Sequence, residues 1–558
     1  MRVPSLLSCI LVYIASAASL SYAHDYARRD AFSSLNGMKM VPKPAAGSPS
    51  DGSIKGLMNR GDIEYIVNIT LGGSVFAMQV DTGSADLVLY PDQPIKTTSV
   101  VKGSNVSQVY GAGSFAGSIA FAELKIGGHT IDSQVFLNAT SVDEFITTAY
   151  LAEGLRGILG LDAGIDNTNL QDDLYQKYGN KGLVMGRNFL QNIFADSPDL
   201  GNFTVVALGR SDDGESAGEG YLAIGEYPEQ LKDSFAKADY VDVVEETGLF
   251  TVYVDAVKIN GKGLPLNSSV RSAPHGKAVA TLDTGATAAQ VTQDIFDAIY
   301  QSIPGAFYRA DVGYYVVPCL PPDAPNITIT IGGVDVYINP LDLTTFKDLR
   351  PDYNYSFCQS AFTVFDLGPG FAGRDFLLGD SFLRNVYTSF YYGALNASYG
   401  WVKSPAVKLV PETGTHDVHT TYSDFLNVRR QKLASSPPEA TRAQIEKIIS
   451  EMLNSDNTTS GAVEDVASGA STDSNASSYQ SLLDKLDTFA PIVFGLLGAI
   501  VVVLFGLLGV GITLCIRRGR TVGGVRAASA LYAPVPAPTR FKEPVPEYRD
   551  EENARYDQ

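Results

Sequence analysis

Two apolar runs of different length frame this chain, and short β-forming runs separated by turns fill the space between them. The first, Leu6 to Ala18, follows Arg2 and precedes the small-residue stretch Ser21-Tyr22-Ala23. It has the length of a signal-peptide core and is too short to span a bilayer, so residues 1–23 read as a removable signal. The second, Phe489 to Ile516, holds no charged side chain and runs directly into Arg517, Arg518 and Arg520. Length and basic flank predict a transmembrane helix over 489–516 with its C-terminal side in the cytoplasm. A polar segment, 517–558, follows it, which the hydrophobic tail of a lipid-anchor signal would lack. The chain therefore reads as a single-pass type I membrane protein.

Within this frame the pattern changes twice. Residues 24–60 are polar, rich in Gly, Pro and Ser, and carry the dibasic pair Arg28-Arg29, which reads as a removable, disordered leader. From 61 to 408, β-forming runs such as Tyr65 to Leu71, Thr204 to Leu208 and Asn326 to Ile331 alternate with Gly-Gly, Asn-Gly and Pro turns. This predicts an all-β body too long for one small barrel. Over 409–488 apolar clusters thin out and Ser, Thr, Asp and Asn take over, predicting a flexible stalk with one short helix from Ala440 to Leu453. The tail 517–558 includes Ala533-Pro-Val-Pro-Ala-Pro and shows no packing pattern, so it is expected to be disordered.

Composition narrows the function classes. Acidic residues outnumber basic ones, 61 to 42, giving a net charge of −19 and a pI near 4.7. A surface that neutralises phosphates needs the opposite bias, so nucleic acid is excluded as a partner. The tail from Arg517 has eight basic and six acidic side chains, which leaves the acidity on the luminal side, where it diminishes as pH falls toward ~4.

Topology also sorts the four cysteines. Cys9 lies in the signal and Cys515 at the inner membrane edge. Cys319 and Cys358 remain in the oxidising compartment and are expected to pair, closing a loop of about 40 residues worth ~3–4 kcal/mol. Sequons at Asn68, Asn105, Asn202, Asn326 and Asn475 fit the same compartment.

The β body contains one internal repeat. Val80-Asp81-Thr82-Gly83-Ser84 recurs as Leu282-Asp283-Thr284-Gly285-Ala286, each at the end of an apolar run. Each copy has a downstream partner, Ile158-Leu159-Gly160 in the first half and Leu377-Leu378-Gly379 in the second. A single Asp-Thr-Gly reads most simply as a turn. Two copies 202 residues apart with matching partners point instead to two similar lobes, 61–235 and 236–408, each supplying one carboxylate to a shared cleft.

Over 62–408 the chain resembles the pepsin-like aspartic proteases. The resemblance rests on the two Asp-Thr-Gly loops, on Tyr110-Gly111-Ala112-Gly113-Ser114, on Gly154 to Leu161 and on Phe376 to Arg384. It implies a bilobal fold bearing a C-terminal stalk and one transmembrane helix, and a disulfide between Cys319 and Cys358 in the second lobe. It also implies a monomeric endopeptidase of extended polypeptides, working in the secretory pathway at the plasma membrane or in a vacuole-like compartment. Asp81 and Asp283 would be the catalytic pair, with no metal and no cofactor. Thr82, Gly83, Ser84, Thr284 and Gly285 would support them. Tyr110, Gly111, Ala112 and Gly113 would form a flap over the substrate, with Thr287 at the cleft.

The chemistry follows from the pair itself. Two adjacent carboxylates cannot both ionise cheaply, so they share a proton. One then activates water while its protonated partner polarises the scissile carbonyl. A cell-surface protein that keeps the fold and merely holds peptides is the alternative, against which the retention of both Asp, both Thr, both Gly and Tyr110 argues.

Three departures from the family pattern bear on activity. Ala286 lacks the hydroxyl common at its position, which is expected to raise the acidic-limb pKa of the dyad. Val88 stands where many relatives have a tryptophan that supports the flap tyrosine, so a looser flap is expected. The stretch from Asp81 to Tyr110 is also short and lacks the disulfide loop often found there.

Other chemistry is less well supported. Gly379-Asp380-Ser381-Phe382 has the look of a serine-esterase nucleophile block, but such enzymes need it near the chain start with a partnering histidine near the end, and here it falls late. His416 and His419 are spaced for a metal but sit in the polar stalk with few candidate ligands.

Overall fold

The computed structural model describes residues 53–459, apart from positions 112, 212 and 351 and the stretches 163–168, 214–219, 245–249, 366–372, 397–399, 402–404 and 413–417. The architecture is mostly β. A long sheet starts with Val241–Asp242, Ala406–Pro411, Val386–Tyr391, Phe203–Ala207, Gly220–Ile224 and Ser53–Arg60, each antiparallel to the next. Strands from both halves of the sequence therefore share one platform. Ser53–Arg60 then passes the sheet on to Glu64–Leu71 and Ser74–Asp81 of the first half. The second half has its own sheet, ordered Val334–Ile338, Ile327–Ile331, Thr251–Ile259, Ala278–Leu282, Phe376–Leu378, Gln290–Val291 and Thr363–Val364.

The same crossing occurs in each half. Ser74–Asp81 lies parallel to Gly157–Gly160, which is antiparallel to Leu87–Leu89. Ala278–Leu282 lies parallel to Phe376–Leu378, which is antiparallel to Gln290–Val291. Register puts Asp81 opposite Gly160, and Leu282 opposite Leu378. The repeated apolar-apolar-glycine partners are thus the neighbouring strands of the two Asp loops. Their glycines follow from close approach: a Cβ on Gly160 would lie 2.6 Å from the carbonyl carbon of Ala85, and one on Gly379 would lie 2.2 Å from the Ala286 carbonyl oxygen. Each Asp loop folds back so tightly that no side chain fits beneath it.

Phe76, Met78 and Val80 below the first loop, and Ala278, Ala280 and Leu282 below the second, are almost fully buried in one continuous core. Phe250 packs edge-on against Phe390 and Tyr392 at centroid distances of 4.8 and 5.3 Å. The Tyr392 hydroxyl donates to the Leu161 carbonyl at 2.7 Å, tying the platform to the end of the first crossing. A smaller four-stranded sheet, Phe307–Arg309, Tyr314–Val317, Ser356–Ser360 and Thr344–Asp348, carries Cys358, which is bonded to Cys319.

Two expectations from sequence change. The disordered leader expected over 24–60 does not extend to 60, because Ser53–Arg60 is a paired strand with Leu57 buried. Its register slips between Lys55 and Leu57, at Gly56, so the strand lacks the unbroken β pattern that would have revealed it.

The flexible stalk expected over 409–488 does not begin at 409 either. Ala406–Pro411 is a sheet strand, and helices Val418–Ser435 and Arg442–Thr459 follow, the second close to the short helix expected over Ala440 to Leu453. Ala440, Ile445 and Ile449 pack on Val312, Tyr314, Val316 and Phe357, and Glu439 accepts the Cys319 N–H at 2.9 Å. Arg429 is wholly buried, donating to Asp213, to Thr344 and to Cys358 Sγ. Among the described residues no helix is long and apolar enough to cross a membrane. The signal, the span Phe489 to Ile516 and the tail lie outside the described residues.

Candidate active site

Asp81 ends its strand and Asp283 directly follows the matching one, so the two crossings deliver the carboxyl groups to the same place. What holds them together is a reciprocal exchange between the threonines. The Thr82 hydroxyl donates to the Leu282 carbonyl at 2.9 Å and accepts the Thr284 N–H at 3.0 Å. The Thr284 hydroxyl donates to the Val80 carbonyl at 3.0 Å and accepts the Thr82 N–H at 3.0 Å. All four bonds are buried, where each unmade one would be expensive.

The glycines bring the two loops into contact. Gly83 N–H donates to Asp81 Oδ1 and Gly285 N–H to Asp283 Oδ1, each at 2.8 Å. A Cβ on Gly83 would lie 2.6 Å from the Asp283 carboxyl, and one on Gly285 would lie 2.3 Å from Asp81 Oδ1. Each glycine therefore rests against the opposite carboxylate.

The two carboxyls are electrostatically unequal. Burial pushes Asp81 above the usual carboxylate range, opposed by the Ser84 hydroxyl, which donates to its Oδ2 at 2.5 Å, and by the Gly83 N–H. Burial pushes Asp283 up as well, and the Asp81 carboxylate adds to the effect, against the Gly285 N–H and the more distant Arg374. Ala286 offers Asp283 no hydroxyl. The donor set thus favours charge on Asp81 and the proton on Asp283.

Near the pair lies a hairpin of Val106–Tyr110 and Gly113–Ile126, with Tyr110 opposite Gly113 and within electrostatic reach of Asp81. Gly113 has φ 149°, and a Cβ there would meet Ile146 at 2.7 Å. Gly111 is in the turn, and Ala112 lies outside the described residues. The Tyr110 ring meets Phe115 edge-on at 5.9 Å. Its hydroxyl donates to Gln108 Oε1 at 2.9 Å, and Gln108 Nε2 donates to Asp86 Oδ2 at 2.7 Å. Val88, where the family resemblance led us to look for a tryptophan, is fully buried. Thr287 is exposed, and its hydroxyl donates to the Ile63 carbonyl at 2.6 Å, linking the second Asp loop to the turn before Glu64.

Sequence reasoning did not single out several residues around the pair. Tyr150, on the short helix Ile146–Tyr150, is held well above the ordinary phenol range by burial, then by Glu64, Asp81 and Asp380. Glu64 is pushed up to about 7 by burial, opposed by Arg60 at 2.9 Å and reinforced by Glu153. Asp380 is wholly buried, and its carboxyl oxygens have no hydrogen-bond partner among the described residues. Burial holds its carboxyl well above the usual range, opposed by Arg384, which favours the neutral form. Tyr150 and Glu64 belong to no repeated motif, and Asp380 appeared in the sequence only within the esterase-like block, so only the fold shows their proximity.

The esterase-like block is structural. Ser381 is buried and its hydroxyl accepts the Ala289 N–H at 2.8 Å, which makes it a structural link. His416 and the side chain of His419 lie outside the described residues, and among the described residues no three metal-ligating side chains cluster.

The eukaryotic aspartyl protease family model matches residues 64–400, which includes both Asp loops, the hairpin and both crossings. The chain belongs to this family. Aspergillopepsin-1 of Aspergillus pseudoglaucus is 26% identical over 360 residues, covering 62% of this chain and 80% of that protein. Pepsin A of Rhinolophus ferrumequinum is 27% identical over 355 residues, covering 60% and 81%. The crystal structure of the aspartic proteinase from Irpex lacteus aligns at TM-score 0.47 and 19% identity, over 66% of this chain and 98% of that one. The protein is an aspartic endopeptidase of pepsin-like fold.

Proposed function

We propose that Asp81 and Asp283 are the catalytic pair of a membrane-anchored protease that cuts extended polypeptides on the luminal or extracellular side. The observation that carries this reading is the buried threonine exchange, which fixes two carboxyls in mutual contact and leaves them unequal in proton affinity.

The mechanism uses that inequality. Ionised Asp81 takes a proton from a water molecule lying between the carboxyls as the water oxygen bonds to the scissile carbonyl carbon. Protonated Asp283 gives its proton to the carbonyl oxygen, so a neutral tetrahedral diol forms. Asp81 then delivers its proton to the peptide nitrogen, the C–N bond breaks, and a diol hydroxyl returns its proton to Asp283. Acid and amine products leave with the pair restored, and no covalent enzyme intermediate forms. Tyr110 closes the hairpin over the substrate and limits access of bulk water.

The anchoring is carried by sequence: the uncharged run Phe489 to Ile516, its arginine flank and the N-terminal apolar run. The reading is of a glycosylated monomer of the secretory pathway, at the plasma membrane or in a vacuole-like compartment.

The test is to incubate the luminal portion, residues 24–488, with a peptide library from pH 3 to 7, beside Asp81→Asn and Asp283→Asn variants and a pepstatin-treated sample. Cleavage that vanishes in all three controls is expected. Cleavage that survives either substitution would overturn the assignment. Membrane placement is tested separately on the full chain, by carbonate extraction and by protease protection of the tail.

A further inference from the structure

Val106–Tyr110 alternates strictly, so Val106, Gln108 and Tyr110 share one face while Ser107 and Val109 point to solvent. A glutamine on the inward face of a flap strand is costly unless both ends of its amide are used. Here both are used. Nε2 donates to Asp86 at 2.7 Å and Oε1 accepts from the Tyr110 hydroxyl at 2.9 Å, with Gln108 3% exposed and Asp86 6%. Asp86 is five residues beyond Asp81, in the turn that Gly160 underlies, and it also accepts the Leu170 N–H at 3.4 Å. The flap tyrosine is therefore tied, through one amide, to the loop that carries Asp81.

Direction matters as much as connection. A carboxylate only accepts, so Asp86 takes the NH₂ end of the amide and turns its oxygen toward Tyr110. The tyrosine must then donate to Gln108, which keeps its oxygen lone pairs for accepting, with the Ser84 hydroxyl beside it. An indole at position 88 would impose the opposite polarity, since it only donates.

We propose that Asp86 and Gln108 are positioning residues for peptide hydrolysis, forming an amide relay that holds Tyr110 over the cleft as a hydrogen-bond acceptor. The proposal rests on the assignment of Asp81 and Asp283 as the catalytic pair. It replaces the looser flap expected from Val88 with a flap secured from its own strand.

The test uses the luminal portion and one quenched peptide substrate. Gln108→Met keeps the length of the side chain and removes both bonds. Its kcat/KM is expected to fall about 10- to 100-fold, the range for a misplaced positioning group. Tyr110→Phe is expected to fall similarly, and the double variant to fall no further than either single one. Gln108→Glu supplies a readout that a packing role would not give. When protonated, the glutamic acid can donate to Asp86 and accept from Tyr110, so activity is retained at acid pH. Once ionised it faces Asp86 and cannot donate, so activity is lost on a new alkaline limb below that of the wild type. Losses that multiply in the double variant would overturn the relay, as would a Gln108→Glu profile that overlays the wild type. A wild-type domain that cleaves nothing under conditions where it is folded would overturn the catalytic assignment itself.

Discussion

Ser84 donates its hydroxyl to Asp81 at 2.5 Å, and the matching position beside Asp283 is Ala286, so the proposed catalytic pair is hydrogen-bonded asymmetrically. Sequence reasoning attached the missing hydroxyl to the acidic limb of the pH profile. On the proposed charge distribution, with the proton on Asp283, the missing hydroxyl bears on the alkaline limb instead. Ala286→Ser would give ionised Asp283 a donor and lower the alkaline limb of kcat/KM by about one pH unit, equivalent to ~1.4 kcal/mol. Ser84→Ala would remove a donor from ionised Asp81 and raise the acidic limb by a similar amount. Full pH profiles of both variants decide the matter. Movement of the same limb in both would contradict the assigned charge distribution.

Thr82 and Thr284 serve as both donor and acceptor in the same buried exchange. Thr82→Val preserves shape but leaves the Leu282 carbonyl and the Thr284 N–H without partners, at a cost of ~2–4 kcal/mol. The lost stability should appear in urea unfolding of the Asp81→Asn background, which prevents self-digestion. Thr82→Ser keeps the hydroxyl and is expected to retain most of the stability. Equal losses in Val and Ser variants would show that the methyl group, and not the exchange, matters.

Glu64 links the active-site surroundings to stability. Its folded pKa of about 7 lies above the unfolded value of 4.5, so between these limits the folded state holds more protons than the unfolded one. Stability from this group is present below pH ~4.5 and is lost as pH rises toward ~7. Asp380 has the same sign, since burial raises its pKa as well. The domain is therefore expected to melt at higher temperature near pH 4.5 than near pH 7. Glu64→Gln should reduce that difference by raising the neutral-pH value. Thermal melts of the Asp81→Asn protein across this range check it, and a melting temperature that rises toward neutrality would refute it.

Most of the fold was legible where local and long-range signals agreed. Tyr65 to Leu71 and Asn326 to Ile331 read as strands because their apolar positions meet one core, and they are strands at Glu64–Leu71 and Ile327–Ile331. The Asp loops and their glycine partners were legible because the fold uses the same crossing twice, and duplication writes its geometry into the sequence. Gln108, Asp86, Tyr150 and Glu64 were not, since their roles depend on side chains that only the tertiary fold brings together, such as Asp86 against Gln108 and Glu64 near Tyr150. Helix Val418–Ser435 was missed for another reason, although the helix after it was expected. A composition reading looks for apolar anchors, and the anchor of helix Val418–Ser435 is Phe425 together with a buried arginine.

That arginine makes the strongest stability prediction. Arg429 is 0% exposed, and its ion pair with Asp213 at 2.7 Å is accompanied by bonds to the Thr344 carbonyl and hydroxyl at 3.2 Å and by the Phe425 ring at 5.2 Å. Removing one member of a buried pair strands the other, at a cost of ~3–5 kcal/mol. Arg429→Ala is therefore expected to lower the unfolding free energy by about that amount. Arg429→Lys should recover little, because an ammonium cannot serve carboxylate, carbonyl and hydroxyl from one planar fork. The effect should be confined to this end of the molecule. Hydrogen exchange should quicken in helix Val418–Ser435 and in Thr344–Asp348, while the amides of Thr82 and Thr284 stay protected. If Arg429→Ala left both unfolding and exchange unchanged, the helix would be resting on the protease body without contributing to its stability.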